Sequence, residues 1–364
     1  MDEKQEPCDK GLKIDEICVE GLVEEPQGHE RASLDNLELS IDMIKDCSEK
    51  GVVGGGMTYL ALKNQTSYLI GTSERGLKVI ERDNQVFSGK LPEDNLDIID
   101  LVYVPSINSY LFCSWTMLYR KEINHRPPYR WMAVRFGGRI GGFLRGPPLH
   151  HRLVINKQGE SIALINPKTR KVEIAIKNNF RATIFDFKLF GEKEDRVAAV
   201  TVNGYVIVYN IDFDGKRGVV AHYHEQLDTR KLNGLSIAVC PRNEYLCVEI
   251  EADRYSSRIL IFQLTVNSLI QKACISTRRQ GIKTKFALEW LGYFGNDMFW
   301  VGLPYGDNAV AQVYDYDRGA QELKELEEMR EVHQEDRPVK LIRLGDKLYY
   351  TGRNGRLMRL GVRR

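Results

Sequence analysis

From about residue 57 onward the chain alternates between short apolar runs and polar breaks, and no segment sustains the 3.6-residue period of an amphipathic helix. The clearest stretch is 184–224. Ile184–Phe190 alternates apolar and polar side chains, and Gly191 to Asp195 forms a polar break. Arg196–Val202 and Tyr205–Ile211 are apolar on both faces and meet at Asn203-Gly204, and after a second break at 212–217 comes Gly218–His224. The pattern predicts four strands joined by short turns. Asn-Gly suits a two-residue hairpin turn, because both turn residues there need positive φ. Strands that are apolar on both faces are expected where a sheet lies between two others.

The unit recurs along the chain. Similar pairs are Tyr68–Thr72 with Leu77–Arg82, Tyr110–Ser114 with Met117–Ile123, and Arg152–Lys157 with Ser161–Asn166. Further on come Tyr245–Ala252 with Arg258–Leu264, Met298–Pro304 with Ala309–Asp315, and Lys347–Arg353 with Arg356–Val362. Tyr119, Ile165, Tyr209, Phe262, Tyr314 and Leu360 occupy equivalent positions, spaced by 46, 44, 53, 52 and 46 residues. With the unit at 57–91 this makes seven repeats. A four-stranded repeat of roughly 40–50 residues is the signature of a propeller blade. The last repeat has only three strands, so an N-terminal strand is expected to complete it. Leu37–Ile44 is favoured over Ile14–Val23 because it lies nearer the first repeat.

Several third strands end in an aliphatic-aromatic-polar triplet: Val313-Tyr314-Asp315, Val208-Tyr209-Asn210, Ile261-Phe262-Gln263 and Leu118-Tyr119-Arg120. In this the region 57–362 resembles the WD40-like β-propellers, although it contains no Trp-Asp dipeptide. The resemblance implies an all-β, seven-bladed ring over residues 36–364, closed by an N-terminal strand. It implies a non-catalytic protein–protein interaction scaffold.

Composition narrows the setting. The chain has 364 residues, 43% hydrophobic and 28% charged, with a net charge of +2. No run approaches the ~18 apolar residues of a membrane span, and the first residues lack the apolar core of a signal peptide. The seven cysteines are irregularly spaced with no Cys-x-x-Cys pair, and four of them, Cys113, Cys240, Cys247 and Cys274, lie in apolar runs. Reduced thiols acting as small hydrophobes, and hence a cytoplasmic or nuclear setting, are expected.

Charge is unevenly spread. Residues 1–50 carry 15 Asp/Glu against 6 Lys/Arg, so 1–35 reads as an acidic leader. Residues 117–153 carry 8 Lys/Arg against the single Glu122, interleaved with Tyr129, Trp131, Phe136 and Phe143. Arginine binds carboxylate and phosphate bidentately, and aromatics stack on unpaired bases. The stretch therefore reads as a solvated loop between repeats, a receptor for an acidic protein, or a nucleic-acid (RNA) site. Arg126, Arg130, Trp131, Arg135, Arg139 and Arg145 are the candidate partner-binding residues. The glycine pairs 137–138 and 141–142 read either as tight turns or as places where backbone approaches a ligand closely.

Other constellations are ordinary. Gly54-Gly55-Gly56 and Gly138-Arg139-Ile140-Gly141 lack the Lys-Ser/Thr of a phosphate loop. His222 and His224 share a strand face without a visible third ligand, so no metal and no cofactor are expected. Glu249, Glu251 and Asp253 alternate along one strand, a pattern open to an axial acidic hydrolase site, but Arg254 and Arg258 lie close enough to pair with them. The expectation is a protein that is not an enzyme.

Overall fold

The computed structural model describes residues 38–46, 58–72, 76–91, 98, 100–114, 117–133, 136–144, 152–157, 161–177, 183–191, 195–211, 218–224, 234–240, 244–252, 256–278, 286–294, 297–304, 312–328, 341–344, 347–351 and 356–363. These residues form 28 strands in seven four-stranded antiparallel sheets, and no α-helix occurs among them. No helix among them is long and apolar enough to cross a membrane. The acidic leader at 1–35 lies outside the described residues.

Strand β1 (Glu38–Asp46) comes first. Sheet one holds β2 (Thr58–Asn64), β3 (Ser67–Thr72), β4 (Gly76–Glu81) and β5 (Asn84–Lys90); sheet two holds β6 (Asp100–Val104), β7 (Ser109–Cys113), β8 (Met117–Glu122) and β9 (Tyr129–Ala133). Sheet three holds β10 (Phe136–Leu144), β11 (Arg152–Lys157), β12 (Ser161–Asn166) and β13 (Lys171–Lys177); sheet four holds β14 (Ile184–Phe190), β15 (Arg196–Thr201), β16 (Tyr205–Asn210) and β17 (Gly218–His224). Sheet five holds β18 (Gly234–Cys240), β19 (Tyr245–Glu251), β20 (Ser256–Leu264) and β21 (Leu269–Arg278); sheet six holds β22 (Phe286–Phe294), β23 (Asp297–Pro304), β24 (Gln312–Asp317) and β25 (Glu322–Glu328). In these six sheets spatial order follows chain order. Sheet seven holds β26 (Ile342–Leu344), β27 (Lys347–Thr351) and β28 (Arg356–Arg363), and β1 is its fourth strand, antiparallel to β28. The expected completion of the last repeat by residues around 37–44 is therefore observed.

The two-faced apolar strands bury both faces for the reason their pattern suggests. On β15 and β16, Val197, Ala199, Ile207 and Tyr209 pack with Ile162 and Leu164 of sheet three. The alternate residues Ala198, Val200, Val206 and Val208 pack with Ile237, Leu246 and Val248 of sheet five. One strand thus feeds two cores. First strands touch from sheet to sheet: β2 packs on β6, β6 on β10, β10 on β14, β14 on β18 and β18 on β22, while β2 also meets β26 and β27. Sheets six and seven meet where the Arg343 guanidinium stacks 3.8 Å over the Trp290 ring. Gly234 makes the approach of β18 to sheet four possible. A Cβ there would collide with Val200 Cγ2 and come within 2.6 Å of the Thr201 carbonyl oxygen.

The repeat position inferred from sequence has a physical marker. In sheets one to six the pairing of third and fourth strands slips by one residue just before Ile80, Tyr119, Ile165, Tyr209, Phe262 and Tyr314. A β-bulge therefore recurs at one place in each of these sheets, adding twist to the outer strand.

Two expectations are corrected. The Asn203-Gly204 connection spans three residues, with only Gly204 at positive φ (80°) and its N–H donating to Thr201 O at 3.0 Å. The two-residue turn with both residues at positive φ is instead Arg82-Asp83, whose geometry no Asn-Gly pair announced. Cys113, Cys240 and Cys247 are buried, as thiols packed like small hydrophobes should be, but Cys274, on the outermost strand of sheet five, is exposed.

Candidate functional site

The described residues of the basic segment lie mostly in strands. The segment runs through β8, a bend at 123–126, β9 and β10, so it joins the outermost strand of sheet two to the first strand of sheet three. Gly137, Gly138, Gly141 and Gly142 lie within β10, whose pairing with β11 is bulged on either side of Ile140. Glycine there serves strand irregularity rather than a turn.

This placement divides the candidate residues. Arg126 is exposed in the bend, and Arg130 is exposed on β9 opposite Tyr119. Arg139 lies on β10, the far side of its own sheet from that sheet's outer strand. Arg135 and Arg145 fall outside the described residues. Trp131 is corrected: its ring is only 4% exposed and packs with Leu118, Ala163 and Ile165 between sheets two and three. It fills core and offers no stacking platform. Tyr129, at 39% exposed, is the aromatic beside Arg126 and Arg130 that reaches the surface.

Two further basic groups of the segment are consumed internally. Arg120 donates from Nε to Ser109 Oγ at 2.9 Å and from its guanidinium to Ile107 O at 3.2 Å, and lies 3.5 Å from Glu122 Oε1. Lys121 is fully buried. Its Nζ donates to Glu122 O and Asn124 O, both at 2.6 Å, and contacts Asn124 Oδ1 at 3.4 Å, while Phe87 of sheet one faces it at 4.5 Å. Burial pulls this ammonium down to about 8, against the opposing pull of the Glu122 carboxylate. Asn124 organises the rest of the bend. Its Nδ2 donates to Glu122 Oε2 at 3.0 Å, its Oδ1 accepts the Arg126 N–H at 3.1 Å, and Tyr129 Oη donates to Glu122 Oε1 at 3.3 Å.

A second polar cluster was not anticipated. It lies on the first strands of sheets four, five and six. Asp186 Oδ1 accepts the Phe187 N–H at 3.0 Å, and its Oδ2 accepts Ser236 Oγ and the Ile237 N–H of sheet five, both at 3.3 Å. Ser236 Oγ in turn accepts the Leu288 N–H of sheet six at 3.1 Å. Lys188 donates to Glu289 Oε2 at 2.6 Å, and Glu289 Oε1 accepts the Trp290 N–H at 3.2 Å. The available signal was one polar residue inside each apolar first strand, as in Ile184-Phe-Asp-Phe and Phe286-Ala-Leu-Glu. All four carboxylate oxygens hold donors, so the cluster links sheets rather than presenting a free acid–base pair.

The remaining candidates separate. Glu249 is buried and accepts the Ser257 hydroxyl at 2.7 Å, whereas Glu251 is half-buried and Asp253 lies outside the described residues. His222 is exposed on β17. Among the described residues no group of three or more His, Cys, Asp or Glu side chains is arranged to hold a metal ion. Compared with known proteins, the chain matches no family model, and no curated protein is similar to it in sequence.

Proposed function

We propose that the seven sheets are the blades of a WD40-like β-propeller whose ring is closed by β1, and that it serves as a non-catalytic scaffold for protein partners in the cytoplasm or nucleus. The ring reading rests on the first-strand contacts that run from β2 to β22 and from β2 to β26, on the Arg343–Trp290 stack between sheets six and seven, and on Lys188 of sheet four meeting Glu289 of sheet six past sheet five, which requires three first strands to converge. Propellers leave the connections at the strand ends free to vary, which suits them to binding.

The scaffold reading is carried by one observation: the exposed Arg126, Tyr129 and Arg130 form a basic and aromatic surface on sheet two, while the convergent carboxylates elsewhere are already bonded. The partner proposed is an acidic protein, with Arg135, Arg139 and Arg145 as the further candidate contacts of the basic segment and no cofactor taking part. Capture from cell extract tests it. Changing Arg130, Arg135, Arg139 and Arg145 to Glu should abolish partner capture while the protein melts as before. Retention of every partner would sink the reading, and binding of a naked oligonucleotide with steep salt dependence would point to nucleic acid instead. The second reading is a hydrolase with an axial acidic site, for which Asp186 and Glu289 would have to exchange the donors they hold for substrate. Turnover of generic ester or glycoside substrates, lost in Glu289→Gln, would establish that alternative.

A further inference from the structure

We propose that Lys121 is the positioning residue of the basic surface: its buried ammonium fastens the bend at 123–126 in the shape that presents Arg126 and Tyr129 to an acidic partner. The proposal rests on the reading of this surface as a receptor and names the residue that shapes it.

The geometry is specific to this lysine. A buried ammonium needs acceptors, and here both short ones are carbonyl oxygens of the bend itself, Glu122 O and Asn124 O at 2.6 Å. Asn124 N donates to Glu122 O at 2.9 Å, so the ammonium and the turn share an acceptor. The Asn124 side chain then bridges outward, touching Lys121 at 3.4 Å with the same Oδ1 that accepts the Arg126 N–H. Through Glu122, which receives both Asn124 Nδ2 and Tyr129 Oη, the bond chain reaches the exposed ring. A charge with no surface of its own thus fixes the backbone beneath two groups that have one.

Titration of the ammonium is set by its surroundings. Glu122 and Arg120 flank it on β8, Tyr110 lies opposite on β7, Phe87 covers it from β5, His125 and Arg126 lie in the bend, and Tyr129 follows on β9. Desolvation outweighs the Glu122 carboxylate, so the proton leaves within reach of ordinary buffers. Because the closed bend lowers the proton affinity, proton loss does not favour an open bend in which the amine is solvated.

Two measurements on the full chain test this. A fluorescent oligoglutamate peptide at fixed ionic strength and pH 7 should bind Lys121→Met about fivefold more weakly than the wild type, as the charge-assisted bonds to the bend are lost. Lys121→Arg should restore most of the binding. Hydrogen exchange of residues 122–126 at pH 7 should show protection in the wild type that is lost in Lys121→Met. Circular dichroism establishes that each variant is folded. Full protection in Lys121→Met overturns the proposal even if the peptide binds. If protection changes as expected but Arg126→Glu binds oligoglutamate as tightly as wild type, the receptor reading fails, and with it Lys121's part in recognition.

Discussion

Lys188 and Glu289, 101 residues apart, belong to sheets that do not adjoin, yet Lys188 Nζ donates to Glu289 Oε2 at 2.6 Å. Their side chains are only 15% and 11% exposed. A pair so enclosed adds little over an apolar pair of the same shape, but leaving one charge alone is costly. Glu289→Gln and Lys188→Met should each lower stability by about 3–5 kcal/mol, whereas the double change of Lys188 to Met and Glu289 to Leu should return to within about 1 kcal/mol of wild type. Urea unfolding of the four proteins measures the coupling, and simple additivity of the two single effects would refute it.

Removal of β1 should be felt throughout the molecule. The strand is paired with β28 from Glu38 opposite Arg363 to Asp46 opposite Arg356, Arg359 reaches Asp42 at 2.8 Å, and Lys45 Nζ donates to Asp83 O of sheet one at 2.7 Å. Deleting residues 1–48 should lower the melting temperature markedly, while deleting 1–30 should leave it unchanged. The half-buried Asp42–Arg359 pair, still in reach of solvent, should alone contribute about 1 kcal/mol, so Asp42→Ala should mimic little of the deletion. Equal melting of both truncations and the full chain would contradict the role given to β1.

Stability should rise and then fall on the alkaline side. Lys121 loses its proton at about 8 when folded and near 10.5 when unfolded, so between these values the unfolded chain binds more protons and stability increases with pH. Burial works oppositely on tyrosine, pushing Tyr316 up to about 12 and Tyr110 higher still, so above about pH 10 the folded state retains protons that the unfolded chain releases, and stability declines. Chemical denaturation from pH 7 to 11 should therefore show a maximum near pH 10. Lys121→Met should abolish the rise and keep the decline; a monotonic decline in the wild type would contradict the assignment.

Much of the architecture was legible because the apolar pattern and the packing share one cause. Tyr119, Ile165, Tyr209, Phe262 and Tyr314, aligned by sequence alone, each lie next to a recurring bulge. What escaped notice was glycine-rich or polar. Phe136–Leu144 reads as turns because its glycines lack the side chains that mark a strand, yet β11 supplies the pairing that makes it one. Trp131 stands among arginines and so suggests a surface, while its indole is drawn into the core shared with Ala163 and Ile165. The Asp186–Ser236 and Lys188–Glu289 contacts join residues 50 and 101 positions apart, distances at which no periodicity carries information.

The pairing of Glu38 with Arg363 also sets the timing of biosynthesis. At roughly 5–20 residues per second, a ribosome takes on the order of 15–60 s to extend the chain from one to the other. During that interval the N-terminal strand has no hydrogen-bonding neighbour, and the six intervening sheets must assemble without their final edge. Its Glu38, Asp42, Lys45 and Asp46 give it the charge that keeps a waiting strand soluble, and it gains its partner only once Arg356–Arg363 has been made.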